Sequence, residues 1–594
     1  MCIDRKIRCV SAMCAIIMLC LTACSTKNTQ GSGTEALTWQ LWGGYDDFLS
    51  LAKEKYPDIE LDFISYTGSN KTGYSWKQME HDEISDIFIT SQILDEKLCR
   101  ERLVDLSGYD FVNRFSNGVL DQVSIDGGIY LLPVSYTMYG IYYNETLMEE
   151  KGWKLPENAA ELEALCGEIR EEGLIPGVIG TQLTGNTFSA VFNLAKTSWL
   201  TTPEGLKWEQ NFLAGNATAE GMWEGTMAYV QRYLDMGMFT TDQQDRNNPE
   251  VLLDYLGNRK AVFCTMVLPV NITELPDTGD KLGMMPYIGE DGHKNIYMHS
   301  PSSYVGISRR LADPGNEEKL EKAVRLLSLL FSPEGQETFI SEQTPCVLSL
   351  LDDSEIQENS MIYDAQQALW DGRTFPMTYA KWEGVLSDMG QAYKEWFRGE
   401  NDMDGAACIA RMDELQRGYL DNSMERVFCL VSDDFSVEET AVLLGKALGS
   451  AVEADAVMVP IGGFREGQPE FKAGVTGKLY AGKADIEAVN IILPSTDGAC
   501  AVMTMTGKQA KELARAGYDA AGDGQEPYPY LLVVRGEKEL KDDTSYQVAF
   551  LMHSYTEEVG QTYSARECEG TLREFLIAWL KEQGTVSPGQ NPWE

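Results

Sequence analysis

Four histidines, His81, His293, His299 and His553, stand far apart along 594 residues. The chain contains no HExxH pair, no GxSxG nucleophile elbow and no phosphate-cradling P-loop. Metal-assisted hydrolysis, acyl transfer and nucleotide hydrolysis therefore lack their usual sequence basis, and neither a catalytic residue nor a cofactor is expected. Of 13 cysteines, five fall in the first 24 residues, and Cys99, Cys166, Cys264, Cys346, Cys408, Cys429, Cys500 and Cys568 occur singly, without a CxxC pair. That scatter argues against a disulfide framework or a zinc site and for small buried apolar side chains. What remains is recognition chemistry: flat aromatic faces for C–H surfaces, with donors and acceptors for hydroxyls. The candidates are Trp42, Tyr45, Asp86, Gln92, Tyr136, Tyr139, Trp223, Trp382 and Glu383. Trp42 and Tyr45 flank Gly43-Gly44, a loop expected to expose them. Trp223 lies at helical spacing with Met227 and Val230, which suits core packing at least as well.

The elements that position these residues begin after an unusual N-terminus. Arg5, Lys6 and Arg8 precede an apolar run from Cys9 to Leu21. That run is shorter than the roughly 20 residues needed to span a bilayer and matches a secretory h-region. It ends in Leu21-Thr22-Ala23-Cys24, which resembles a bacterial lipobox. The resemblance implies cleavage before Cys24, diacylation of its sulfur and attachment to the outer face of the cytoplasmic membrane. Residues 1–23 are then a signal peptide, and 24–34, with Ser25 to Thr34 reading STKNTQGSGT, a lipidated cysteine and flexible tether. The 49 Lys and Arg against 91 Asp and Glu give a net charge of −42. Such a chain is repelled by nucleic acid, so no nucleic-acid partner is expected.

Beyond the tether the pattern is α/β. Leu37 to Trp42, Ile59 to Ile64 and Ser85 to Thr90 read as strands, and Asp46 to Tyr56 as a helix. The alternation predicts a largely parallel, doubly wound sheet whose ligands sit at the carboxyl ends of its strands. The rhythm changes near residues 421–432, where a helix from Ser436 to Val452 and a strand from Ala456 to Val459 open a tail long enough for its own core.

Several segments carry a resemblance in order. They are Gly128 to Pro133, Ile141-Tyr142-Tyr143-Asn144, Gly152-Trp153 with Leu155-Pro156, Leu256 to Val262, Tyr304 to Ser308, and Phe331 to Gln336. Together they resemble the family 1 extracellular solute-binding proteins of bacterial ABC importers. The resemblance implies a two-lobed, type II-like periplasmic-binding fold over 35–425 that closes on a small organic solute, with carbohydrate (an oligosaccharide) the expected class. It also implies ABC permease subunits as partners, and a monomer is expected. Where many relatives carry an aromatic after the return strand, this chain reads Cys264 to Pro269.

The tail resembles the C-terminal domain of 5′-nucleotidases over 428–594. The segments are Ala454 to Arg465, Thr476 to Tyr480, Leu493-Pro494, Val502 to Gln509 and Tyr546 to Phe550. By that resemblance Gly462, Gly463 and Arg465 belong to a candidate nucleoside site, to which Tyr528 and His553 add rings able to stack a base, and the Gly462–Arg465 segment fits a structural turn as well. The family's hydrolysis needs a separate two-metal domain with DxH and GNH ligand clusters, which this sequence lacks. The alternative to a receptor is thus a nucleotide-binding or degenerate nucleotidase-type protein.

Overall fold

The computed structural model describes residues 36–41, 45–265, 279–290, 292, 294–339, 347–348, 361–377, 382–421, 427–462, 474–493, 499–518, 529–551, 554–589 and 593. Residues 37–594 pack as one compact unit. Its first strands are β1 (Leu37–Leu41), β2 (Leu61–Ser65) and β3 (Ile87–Thr90), and β4 (Leu132–Tyr139) leads through Gly140 into β5 (Ile141–Asn144). Strands β5, β6 (Ile175–Ile179), β7 (Thr240–Thr241), β8 (Ala261–Thr265) and β9 (Leu282–Met285) make a second sheet. The chain then returns as β10 (Tyr297–Ile307), β11 (Val347–Leu348) and β12 (Thr374–Pro376).

The first sheet runs β11-β4-β10-β3-β1-β2, with β12 beside β10, and the second runs β9-β5-β8-β6-β7. This is a two-lobed α/β fold, one sheet per lobe. The expectation of a largely parallel sheet needs correction. In lobe one β1 is parallel to β2 and β3, but β10 is antiparallel to both β3 and β4. In lobe two β5 is antiparallel to β8 and β9. The physical reason is the crossing itself: a strand that carries the chain between lobes runs against the strands wound locally by βαβ units.

Gly140 allows the first crossing. A Cβ there would collide with the Met285 carbonyl and the Met284 side chain, so β4 and β5 approach β9 without a side chain between them. Arg259 closes the entry to β9: its guanidinium binds Asp280 (Nε to Oδ2, 2.8 Å) and Glu150 (2.9 Å). The Arg259 hydrogen bond holds the Asp280 carboxyl below the usual carboxylate range. Two core clusters fill the lobes: one joins Trp39, Phe48, Ile89, Phe111 and Leu327 of lobe one and continues onto Tyr142, Val178 and Cys264 of the second sheet, and the other joins Phe188, Phe192, Trp208, Trp223 and Tyr233 in lobe two.

The tail builds two further sheets. Its strands are β13 (Cys429–Val431), β14 (Ala456–Pro460), β15 (Gly482–Ala484), β16 (Ala499–Thr506), β17 (Tyr530–Val534), β18 (Ser545–Leu551), β19 (Arg566–Thr571) and β20 (Thr585–Val586). They are ordered β15-β13-β20 and β17-β14-β18-β16-β19. Capping boxes at Ser436, Thr506 and Thr571 start three of its helices, each hydroxyl accepting from the amide three residues on. The tail's core also takes in two lobe-one residues, Tyr66 and Tyr74.

Candidate functional site

Open α/β sheets bind ligands outside the carboxyl ends of their parallel strands, so these ends define the candidate site. In lobe one, β3 ends at Thr90 and passes into Ser91-Gln92. The Trp76 indole N–H donates to Thr90 Oγ1 (3.1 Å) and to the Gln92 carbonyl (3.0 Å). Thr72 and Ser91 share a hydroxyl hydrogen bond. The Gln92 side chain is half-buried, and its amide group has no hydrogen-bond partner among the described residues. It is a free donor and acceptor at a fixed strand end.

In lobe two, β6 ends at Gly180-Thr181 and β7 at Asp242. Asn186 donates to the Gly180 carbonyl (3.0 Å) and to Asn248 (2.9 Å), tying the loop to a neighbouring turn. Arg398, almost fully buried, donates to Thr181 Oγ1 (2.7 Å), the Asp242 carbonyl (2.8 Å) and Asp245 Oδ1 (2.9 Å). Lys394 pairs with the other Asp245 oxygen. Burial opposes ionisation of Asp245, but these bonds outweigh it and hold the carboxyl below its ordinary range. Arg246 does the same for Asp242, chiefly by direct hydrogen bonding (2.9 Å). The charges at this rim therefore satisfy one another, and exposed Gln243 and Gln244 are left beside them. Such a rim offers side-chain amides rather than net charge, which suits an uncharged polar solute.

Several sequence candidates sit elsewhere. Tyr45 caps helix Asp46–Lys55 and turns inward, its ring edge-on to Trp39 and Phe339 and its hydroxyl on Ser303 (2.8 Å). The helix start, rather than the Gly-Gly loop, sets its direction, and the ring belongs to the core. Asp86 precedes β3, at the amino end of the strand. It is buried there by Lys319 (3.1 Å), Arg310 (3.5 Å) and the Thr38 amide (3.0 Å). Tyr136 is fully buried, edge-on to the His299 ring. Trp223 and Trp382 lie 6.1 Å apart in an aromatic cluster with Trp199, Trp208 and Phe212. Trp382 donates its indole N–H to buried Glu209 (2.8 Å). These four aromatics and Asp86 are structural here, because each is enclosed by its own lobe. Tyr139 is half-buried at the first crossing, against the lobe-two core.

Trp42, Gly463, Arg465, Tyr528, His553 and Cys24 lie outside the described residues, and so does the Glu383 side chain. Gly462 is described: it packs 3.3 Å from Gly474 and Thr476 at the position a Cβ would occupy, a close approach made within the tail itself. The lobe-two rim of Thr181, Asp245, Lys394 and Arg398 was not singled out by sequence. Its members are 217 positions apart (Thr181 to Arg398), and no local motif joins them. Among the described residues no group of three or more His, Cys, Asp or Glu side chains could hold a metal ion. No described helix is long and apolar enough to cross a membrane.

Comparison with known proteins places this geometry. The sequence model of the bacterial extracellular solute-binding proteins matches residues 25–362, more than half of the chain. An uncharacterised ABC transporter extracellular-binding protein of Pyrococcus horikoshii is 26% identical over 154 residues, 25% of this chain and 36% of that relative. The multiple sugar-binding protein of Streptococcus mutans is 29% identical over 79 residues, 13% of this chain and 19% of its own. The alignments thus span well under half of these two relatives. Among solved structures, the apo form of RafE from Streptococcus pneumoniae superposes with a TM-score of 0.53 at 15% identity, covering 65% of this chain and 99% of that one.

Proposed function

The chain belongs to the bacterial extracellular solute-binding proteins, and from that premise we propose that it is a lipid-anchored receptor that captures a carbohydrate for an ABC importer. The observation that carries the carbohydrate reading is the lobe-two rim. Its ionic groups are paired among themselves, and uncharged side-chain amides stand at the strand ends of both lobes, Gln92 in one and Gln243 and Gln244 in the other. Sugar hydroxyls need such donors and acceptors, whereas a peptide or polyamine needs an unpaired charge. In this reading the lobes close by hinge motion about their crossing strands. Gln92 bonds solute hydroxyls from lobe one, and Trp42 supplies a stacking face. The partial match to a sugar-binding relative supports the same class.

The lipobox-like run at Leu21 to Cys24 supports anchoring at Cys24 on the extracellular face of the cytoplasmic membrane, with residues 25–34 as tether. The tail, in this proposal, is a nucleotidase-like accessory unit without its own catalysis. A thermal-shift screen of the mature chain tests the receptor reading, because a ligand that binds only the folded state raises the melting temperature. Raffinose, maltotriose and xylobiose are compared with adenosine, a tetrapeptide and spermidine. At least one saccharide is expected to raise Tm, and Gln92→Ala to weaken its binding about tenfold, the loss of roughly one good hydrogen bond. A shift with spermidine or peptide alone overturns the carbohydrate class. Cys24→Ser is expected to move the protein from the membrane fraction into the medium.

A further inference from the structure

We infer that the tail tunes the solute site through the helix α1 (Lys71–Glu80), with Trp76 as the positioning residue between them. The inference rests on the reading that the loop after β3 touches solute.

One side of α1 belongs to the tail. Asn70, which caps the helix, donates to Glu487 (2.5 Å). Tyr74 stacks on Tyr66 with ring centroids 4.2 Å apart, and both sit in the tail's core with Val475, Leu479 and Ile491. The Tyr66 hydroxyl donates to the Ile491 carbonyl (2.7 Å), and the Thr67 amide to Thr476 Oγ1 (2.5 Å). Just past the helix, Lys478 binds both oxygens of Glu83 (2.7 and 2.6 Å), and His81 Nδ1 lies 3.0 Å from Asp434.

The other side of α1 belongs to the solute loop. Two residues along a helix turn the side chain by about 200°, so Trp76 points away from Tyr74. It enters a different core, with Phe88, Cys99 and Leu131. From there its indole N–H holds Thr90 and Gln92, and Thr72 holds Ser91. A ten-residue helix is thus gripped by the tail on one face and grips the candidate binding loop with the other. A cavity of about 340 Å³ opens at the junction, lined by Lys77, Lys478, Tyr480 and Ile491 among others. Beside that cavity the grip consists of the shared core at Tyr66 and Tyr74 and the named polar contacts. Weakening them lets α1 shift, and the hydrogen bonds that align Gln92 shift with it.

The test uses the full mature chain. A double variant, Thr476→Val with Lys478→Ala, removes tail contacts that touch no residue of the loop, and Trp76→Phe keeps a ring but removes the indole donor. Hydrogen exchange is followed in peptides covering 88–92 and 474–493, and binding of raffinose, maltotriose and xylobiose is measured in parallel. The double variant is expected to speed exchange at 88–92 about tenfold and to weaken sugar binding about fivefold, within the usual range of coupling between sites. Trp76→Phe is expected to do both while 474–493 keeps its wild-type exchange, which a general loss of stability would not spare. Faster exchange at 474–493 with 88–92 unchanged overturns the coupling. If wild type binds no sugar, the receptor reading fails, and the exchange comparison still decides the coupling. Should the double variant not fold, Tyr66→Phe, which removes one hydroxyl, serves the same comparison.

Discussion

His299 is buried on β10, with Nε2 3.0 Å from Gln122 Oε1 and with Nδ1 lacking a partner among the described residues. Burial disfavours the imidazolium and pushes its pKa down to about 4. The sign follows from linkage. An unfolded chain binds a proton below about pH 6.5 while the folded one does not. Stability is therefore full above that pH and falls as pH drops toward 4, by up to about 3 kcal/mol. Urea unfolding at pH 7 and pH 4.5 is expected to reveal this slope, and His299→Gln to flatten it. The same burial explains why residue type alone misplaced several candidates. Tyr45 and Trp382 have the right chemistry for a sugar face, but a residue's type does not say which way its element turns it.

At the scale of elements, the helix Glu383–Arg398 serves two places at once. Trp382, at its start, fills the lobe-two aromatic cluster and bonds Glu209, and Arg398, at its end, organises the rim. Trp382→Ala removes a buried ring and leaves the Glu209 carboxylate without its indole donor. A loss of about 3–5 kcal/mol in urea unfolding is expected. Local pattern made most elements legible: the helix foreseen from Asp46 to Tyr56 spans Asp46–Lys55, and the tail helix foreseen from Ser436 to Val452 spans Val437–Ala451. The ends are less legible than the elements, since the tail helix begins one residue after its expected start and stops one residue before its expected end. Apolar periodicity marks the buried face of a helix but not its first hydrogen-bonded turn.

For the whole molecule, the shared core between tail and lobe one has an energetic consequence. Tyr66 and Tyr74 pack with the tail, and a Cβ on Gly477 would collide with the Ile491 carbonyl and crowd the Tyr66 ring. Wild type is expected to melt with the tail and lobe one coupled in a single calorimetric transition. Gly477→Ala, which forces these surfaces apart, is expected to split that transition in two, with the earlier one lowered by several degrees.

The sequence alone determined the α/β character, the two-lobed order, the change of rhythm before the tail and the absence of recognisable catalytic motifs. Each is written locally, as side-chain period, segment order or a motif of fixed spacing. Only the tertiary structure decided that β10 and β5 run against their neighbours, that Asp86, Trp223 and Trp382 are enclosed, and that Arg398 meets Thr181. It also decided that the tail closes its core on Tyr66 and Tyr74. These outcomes depend on which distant segments share a core, and contacts across hundreds of residues leave no periodic trace in the chain that makes them.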